Sequence, residues 1–255
     1  GRKKELDPRE FFSGGKTFPR KSLGQNFITD RRVIDRIVET AEISGEDEVL
    51  EIGPGMGALT RALAEAAGRV VAVEKDERVI NHLRELLGGY PGTEVIEGDC
   101  LKLDYRDFYR GRKMKVVSNL PYSISTPVLI KLLRDRGMFS SLTLMLQLEV
   151  GERITAAPGG RKYGSLSVLI QTYMDVKIVF RVPPSSFWPK PKVDSAVLKF
   201  VPLARPRVPV SDERLHETVL RAAFSSRRKM LGNSLRSLLP KEAVESVLDS
   251  CGIDR

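Results

Sequence analysis

Residues 49–60 read VLEIGPGMGALT: an apolar strand, a loop carrying Gly53, Gly55 and Gly57, and the opening of a helix. A strand that feeds a helix through a glycine loop is the first half of a βαβ unit, and such units build parallel sheets. The following residues keep that rhythm. Strands are predicted at 49–52, 70–74, 94–97, 115–118 and 142–147, with helices at 58–67, 78–87, 126–134 and from 149. An earlier helix is predicted to be capped by Asp30, with Val33, Ile34, Ile37, Val38 and Ala41 at the helical period. The predicted fold class is α/β, a doubly wound parallel sheet.

Near residue 160 the pattern changes. Residues 163–182, YGSLSVLIQTYMDVKIVFRV, and 195–203, SAVLKFVPL, read as strands without intervening helices, added antiparallel at the sheet edge. A proline-punctuated linker, RPRVPV, leads into a helical segment from Ser211. Three parts are expected: a flexible basic arm over 1–21, the sheet domain over 22–204, and a small helical domain over 205–255. The arm is read as mobile because it lacks apolar periodicity and holds Pro8, Gly14, Gly15 and Pro19.

Charge is unevenly placed along the 255 residues. Residues 1–25 carry seven Lys/Arg against three Asp/Glu, 26–180 carry 21 against 22, and 181–255 carry 14 against eight. Basic ends around a neutral middle fit a polyanion held beside a catalytic domain. No apolar run approaches the ~18–20 residues that span a bilayer, and no secretory signal is visible, so no membrane association is expected. Cys100 and Cys251 are far apart and lack metal-like neighbours. Neither a disulfide framework nor a metal site is expected, and a reducing, cytoplasmic setting fits.

The glycine loop lets backbone approach a ligand closely, but its spacing fits a dinucleotide as well as S-adenosylmethionine. The next strand ends in Glu74, whose carboxylate suits both hydroxyls of a ribose. The third strand leads into EGDC, which puts Asp99 on the same rim, where it suits an exocyclic adenine amine. Both ligands remain open at this point.

The fourth strand separates them. It runs into Asn119, Leu120, Pro121 and Tyr122. Hydride transfer has no use for that group, whereas methyl transfer to a base amine has. The lone pair of such an amine is delocalised into the ring. Acceptors on both of its N–H bonds favour a tetrahedral nitrogen and free the pair. The Asn119 side-chain oxygen and the Leu120 carbonyl are such acceptors. Pro121 lacks an N–H and fixes its own φ, and Tyr122 offers a flat face to an unpaired base.

With KSLGQNFITD, VLEIGPGMGALT, VVAVEKD, VIEGDCLKLD, VVSNLPYSIS, YGSLSVLIQ, FWPKPKVDSAV and FSSRRKMLGNSL in this order, the chain resembles the rRNA adenine N6-dimethyltransferases of the kasugamycin-sensitivity type. The resemblance runs from about Lys21 to Ile253. It implies a Rossmann-like class I methyltransferase sheet and S-adenosylmethionine as cofactor. It implies two adjacent adenosines near the 3′ end of 16S rRNA as target, within an assembling small ribosomal subunit, and a monomeric enzyme. Gln25, Asn26 and Ile28 would touch the cofactor together with Gly53, Gly55, Glu74, Asp99 and Asn119. Phe187 would sandwich the target base against Tyr122, and Arg227, Arg228 and Lys229 would meet RNA phosphates from the helical domain. The sequence departs from the family at Ser123, where Asn is usual, and at Gly151 within a predicted helix. A short basic tail beyond Arg255 is also usual. The rivals are a dimethyltransferase of the resistance type acting on 23S rRNA and a non-catalytic RNA-binding assembly factor.

Overall fold

The computed structural model describes residues 7–13, 25–226 and 229–253. They form two compact units, Gly1–Gly151 with Asp175–Pro202, and Glu152–Met174 with Leu203–Arg255.

The first unit holds the sheet. Helix α1 (Pro8–Ser13) comes first, then the short strand β1 (Phe27–Ile28) and helix α2 (Arg31–Ala41). There follow β2 (Glu48–Ile52), α3 (Ala58–Ala66), β3 (Arg69–Glu74), α4 (Glu77–Leu87), β4 (Thr93–Glu97), β5 (Met114–Asn119), α5 (Ser125–Arg134) and β6 (Phe139–Gln147). After α6 (Leu148–Ile154) and α7 (Ser165–Tyr173) come β7 (Met174–Val182), β8 (Phe187–Trp188) and β9 (Ser195–Pro202). Seven strands share one sheet in the order β4-β3-β2-β5-β6-β9-β7. The pairs from β4 to β6 are parallel, and β9 runs antiparallel to β6. Strand order reverses between β2 and β5, the place where open α/β sheets form a ligand crevice at their carboxyl ends.

Local chemistry explains the elements. Every residue of β3, RVVAVE, is buried, as a strand covered by helices on both faces must be. Asp30 caps α2 by accepting from the Arg32 amide at 3.1 Å, and Val33, Ile34, Ile37 and Ala41 turn inward. At the amino ends of the strands, Arg69 binds Glu48 at 2.6 Å and Glu94 at 3.0 Å, and also donates to the Phe108 carbonyl at 2.9 Å. This buried guanidinium clips β2, β3 and β4 together at the end of the sheet opposite the crevice.

Two expectations need correction. Residues 165–173, read as strand, form α7. Leu166, Leu169, Ile170 and Tyr173 follow the helical period, but the helix is buried nearly all round, Ser167 and Thr172 included, which hides it. Residues 8–13, read as part of a mobile arm, form α1. Phe12 is buried, stacked on Phe27 with centroids 5.5 Å apart and lying 5.9 Å from Trp188. Two adjacent phenylalanines supply the apolar area that the charged sequence around them concealed. Residues 1–6 and 14–21 of that segment lie outside the described residues.

The second unit contains α7, α8 (Glu213–Ala223), α9 (Leu231–Leu235) and α10 (Lys241–Ser250). Residues 152–174 cluster with these C-terminal helices. The buried Tyr173 joins His216 of α8 through its hydroxyl at 3.1 Å, and Tyr163 meets Phe224 edge to face at 5.9 Å.

Candidate active site

The loop after β2 turns through left-handed backbone at Gly53, Gly55 and Gly57. At Gly55 (φ 56°) a Cβ would come within 2.9 Å of the Phe27 ring, and at Gly57 (φ 86°) within 2.8 Å of Leu86. Only glycine avoids both the φ strain and the collision. All three amides are already engaged inside the protein. Gly53 donates to the Val73 carbonyl at 2.9 Å, Gly57 to the Pro54 carbonyl at 3.0 Å, and Gly55 to Glu74 Oε2 at 3.0 Å. A phosphate-cradling loop keeps such amides free for its ligand; this loop gives one of them to a carboxylate.

Glu74 at the end of β3 also accepts from the amides of Lys75 and Asp76, both at 2.8 Å to Oε1. Burial pushes this carboxyl above the usual carboxylate range, while the three amides pull it back. A carboxylate has about four lone-pair sites, so roughly one is left, on Oε2. In this conformation Glu74 has room for one ribose hydroxyl, where the sequence had led us to expect two. Asp76 caps α4 and binds Arg78 and Gln25, the latter at 2.7 Å. Asp76 thus holds the Gln25 side chain at the cavity wall. Asp99 accepts from Lys75 Nζ at 2.9 Å and from the Leu101 amide at 3.0 Å, and Lys75 holds its carboxyl below the usual range.

At the end of β5, the Leu120 amide donates to the Met145 carbonyl at 3.1 Å, extending the ladder with β6 by one residue. Asn119 Nδ2 donates to the Asn26 carbonyl at 3.0 Å. That bond fixes which way the amide faces, because a carbonyl demands the nitrogen. Asn119 Oδ1 is therefore turned the other way, and it is buried without a hydrogen-bond partner. Pro121 (φ −57°, ψ 127°) turns the chain away from the sheet. The Tyr122 hydroxyl is hydrogen-bonded to Ser195 Oγ at the start of β9, which sets the tilt of the ring.

These residues enclose one cavity of about 270 Å³. Of the positions expected at the site, Gln25, Asn26, Ile28, Gly53, Gly55, Glu74 and Asp99 line it. So do Asn119, Leu120, Pro121 and Tyr122, with the exposed Ser123 beside them. Phe187 is not on the wall. It pairs with Ile28 across the β1–β8 ribbon, is 2% exposed, and packs in the core with Ile28, Ile34 and Val182. In this conformation it anchors the ribbon and offers no face opposite Tyr122. Arg227 and Arg228 lie outside the described residues, and Lys229 is exposed in the second unit.

Three residues of the site escaped the sequence reading. Ser195 is one of many serines and meets Tyr122 only through the fold. Lys75 follows Glu74 in VVAVEKD, and nothing local marks its pairing with Asp99. Glu51 sits within VLEI, where an acid between Leu50 and Ile52 in an otherwise apolar strand was the available signal. Its side chain is buried on the cavity wall, and desolvation pushes its carboxyl up to about 8. The described wall thus carries three carboxyl groups, Glu51, Glu74 and Asp99, against the single cation Lys75. Such a wall favours a cationic ligand and disfavours a pyrophosphate.

The family model described as "Ribosomal RNA adenine dimethylase" matches residues 17–255. The "Ribosomal RNA small subunit methyltransferase A" of Geobacter sulfurreducens is 52% identical over 241 residues, covering 92% of this chain and 87% of that protein. Among solved structures, a dimethyladenosine transferase from Plasmodium falciparum is 32% identical with a TM-score of 0.70, over 88% of this chain and 78% of that one. The 23S rRNA methyltransferase ErmE is 32% identical with a TM-score of 0.69, over 90% of this chain and 91% of that one.

Proposed function

The chain belongs to the ribosomal RNA adenine dimethylase family, and from that premise we propose that it dimethylates the N6 of adenosines in 16S rRNA with S-adenosylmethionine as donor. The observation that carries this reading is the buried, unpartnered Oδ1 of Asn119 on the cavity wall. An unsatisfied buried acceptor is costly, and an amine N–H satisfies it. With the Leu120 carbonyl as second acceptor, both hydrogens of an adenine N6 are held and its lone pair is released towards the donor. Tyr122, its tilt set by Ser195, gives the extruded base a stacking face.

The residues present fit the donor. Its net positive charge suits a wall rich in carboxyl groups, Glu74 keeps one acceptor site for a ribose hydroxyl, and Asp99 is ionised and ready to accept from an adenine amine. Asn26, just before β1, and Ile28 within it close the wall. Bound there, S-adenosylmethionine supplies a methyl group on a sulfonium that departs as neutral sulfide. The chain's contribution is positioning and polarisation, and the N6 proton leaves to water. The target is two adjacent adenosines near the 3′ end of 16S rRNA in a subunit still being assembled. The protein acts as a cytoplasmic monomer, with the unit built on the seven-stranded sheet as the methyltransferase domain. Residues 205–255, with Lys229, Arg227 and Arg228, contact phosphates. Phe187 supports the site as an anchor of the β1–β8 ribbon.

The likeness to ErmE favours a second target, 23S rRNA; the 52% identity to the small-subunit enzyme outweighs it. One experiment separates the two. Unmodified small subunits and 23S rRNA are each incubated with the protein and labelled donor, and dimethyladenosine is located by mass spectrometry. Dimethyladenosine at a neighbouring pair in 16S rRNA is expected. Label confined to 23S rRNA would overturn the choice of target, and no label in either would overturn the enzymatic reading.

A further inference from the structure

We infer that Phe12 of α1 is a positioning residue for methyl transfer: it braces the Phe27 ring, fixes the main chain at Asn26, and through that carbonyl sets the Asn119 acceptor. The inference rests on the methyltransferase reading above. Phe27 lines the cavity, and Phe12 is buried behind it at 2% exposure. The glycine loop meets the edge of the Phe27 ring, since a Cβ at Gly55 would come within 2.9 Å of its Cδ1 and Cε1. Phe12 covers its face, with centroids 5.5 Å apart and planes 25° apart. Trp188, the partner of Phe27 across the β1–β8 ribbon, completes the cluster at 5.9 Å from Phe12 and 6.5 Å from Phe27.

β1 needs such a brace. It has two residues and pairs with β8, itself two residues long. Few backbone bonds hold it, so side-chain packing decides where it sits. α1 supplies that packing from a fixed base on α4. Phe11 lies 5.4 Å from His82, and the Arg78 guanidinium lies 5.7 Å from the Phe12 ring. Arg78 is gripped by Asp76 at 2.8 Å, and Asp76 also holds Gln25 at 2.7 Å. The stretch 25–27 is therefore tied to α4 at both ends, through Gln25 and through Phe27. Asn26 stands between them, and its carbonyl receives the Asn119 amide at 3.0 Å. That carbonyl and the Phe27 nitrogen belong to one planar peptide unit. A Phe27 ring that recedes or turns takes the carbonyl with it, and Asn119 follows its partner. Without the Phe12 side chain, the space left against the ring is filled by relaxation of its neighbours, Phe27 first among them.

The test is a double-mutant cycle in the full chain. Single-turnover methylation of unmodified small subunits is measured at saturating S-adenosylmethionine, per folded molecule. Phe12→Ala should slow it by about ten- to a hundredfold, up to the cost of a 1 Å misplacement. Phe12→Leu keeps most of the apolar volume and loses the flat face; it should fold and react several-fold slower than wild type. In an Asn119→Ala background either substitution should cost less than about twofold, because the group through which Phe12 acts is gone. A merely structural role would lower melting temperature and leave no such coupling. The same fractional loss with and without Asn119 would overturn the inference. So would a wild-type rate in either Phe12 variant. Absence of dimethyladenosine from the wild-type reaction would overturn instead the methyltransferase reading on which the inference rests.

Discussion

Asn119 takes its orientation from Asn26: the side-chain amide donates to a backbone carbonyl 93 residues earlier in the chain, at 3.0 Å. The Asn119 Oδ1 acceptor is thus oriented by the residue just before β1, a strand outside the main sheet. Asn119→Ala removes the acceptor and should lower single-turnover methylation by about 10²–10³-fold. Donor binding, measured by calorimetry, should persist. Asn119→Asp should be impaired as well, because a carboxylate facing the Asn26 carbonyl loses the orienting bond. Equal loss of donor binding and of chemistry in Asn119→Ala would mean that the residue serves the cofactor or the fold.

The Tyr122–Ser195 bond should behave as a unit. Tyr122→Phe and Ser195→Ala each free the ring to tilt and should lower kcat several-fold with KM for the donor unchanged. The double variant should be little worse than either single one, since residues acting through one bond are not additive. A rate equal to the product of the two single losses would mean that the residues act independently. A purely structural role would show in melting temperature and leave kcat alone.

Gly55→Ala meets two penalties, a left-handed φ of 56° and a ring 2.9 Å away. A loss of about 1–3 kcal/mol in unfolding free energy is expected, read from urea denaturation. Because the ring belongs to Phe27, between Asn26 and Ile28, donor affinity should fall too. Unchanged affinity would show that the wall tolerates displacement of Phe27.

Arg69→Ala leaves Glu48 and Glu94 without their shared partner at the far end of the sheet. Breaking a buried ion pair costs about 3–5 kcal/mol, and partial exposure of Glu94 places this case at the lower end. Melting temperature should drop while methylation per folded molecule stays unchanged. A rate loss at full stability would tie the strand ends to the chemistry.

The alternating half of the fold was legible because parallel strands buried on both faces are continuous apolar runs, as the VVAV of β3 is, and the helices between them are amphipathic. The segment SLSVLIQTY lost its period because its buried residues leave few polar positions to mark a face. The strand ends Gly53, Glu74, Asp99 and Asn119 were legible as a site because one topological rule brings them to one rim. Ser195 and Tyr122 meet across 73 residues, and no local pattern encodes that contact. The use of Glu74 to hold the Gly55 amide was equally hidden. The motif announces an acid at a strand end and is silent on whether its lone pairs serve the ligand or the loop.

The hydrogen bond from the Leu120 amide to the Met145 carbonyl makes the asparagine motif the last rung of the sheet. A nitrogen held there as proposed is aligned against a hydrogen-bonded frame, and displacement of reacting atoms by about 1 Å costs on the order of a hundredfold in rate. Met145 is buried and pairs with Asn119 across the two strands, meeting Leu120 through that rung. Core substitutions beneath β6 should therefore register as slow methyl transfer in proteins that fold and bind normally, so that turnover reports on packing several residues removed from any substrate.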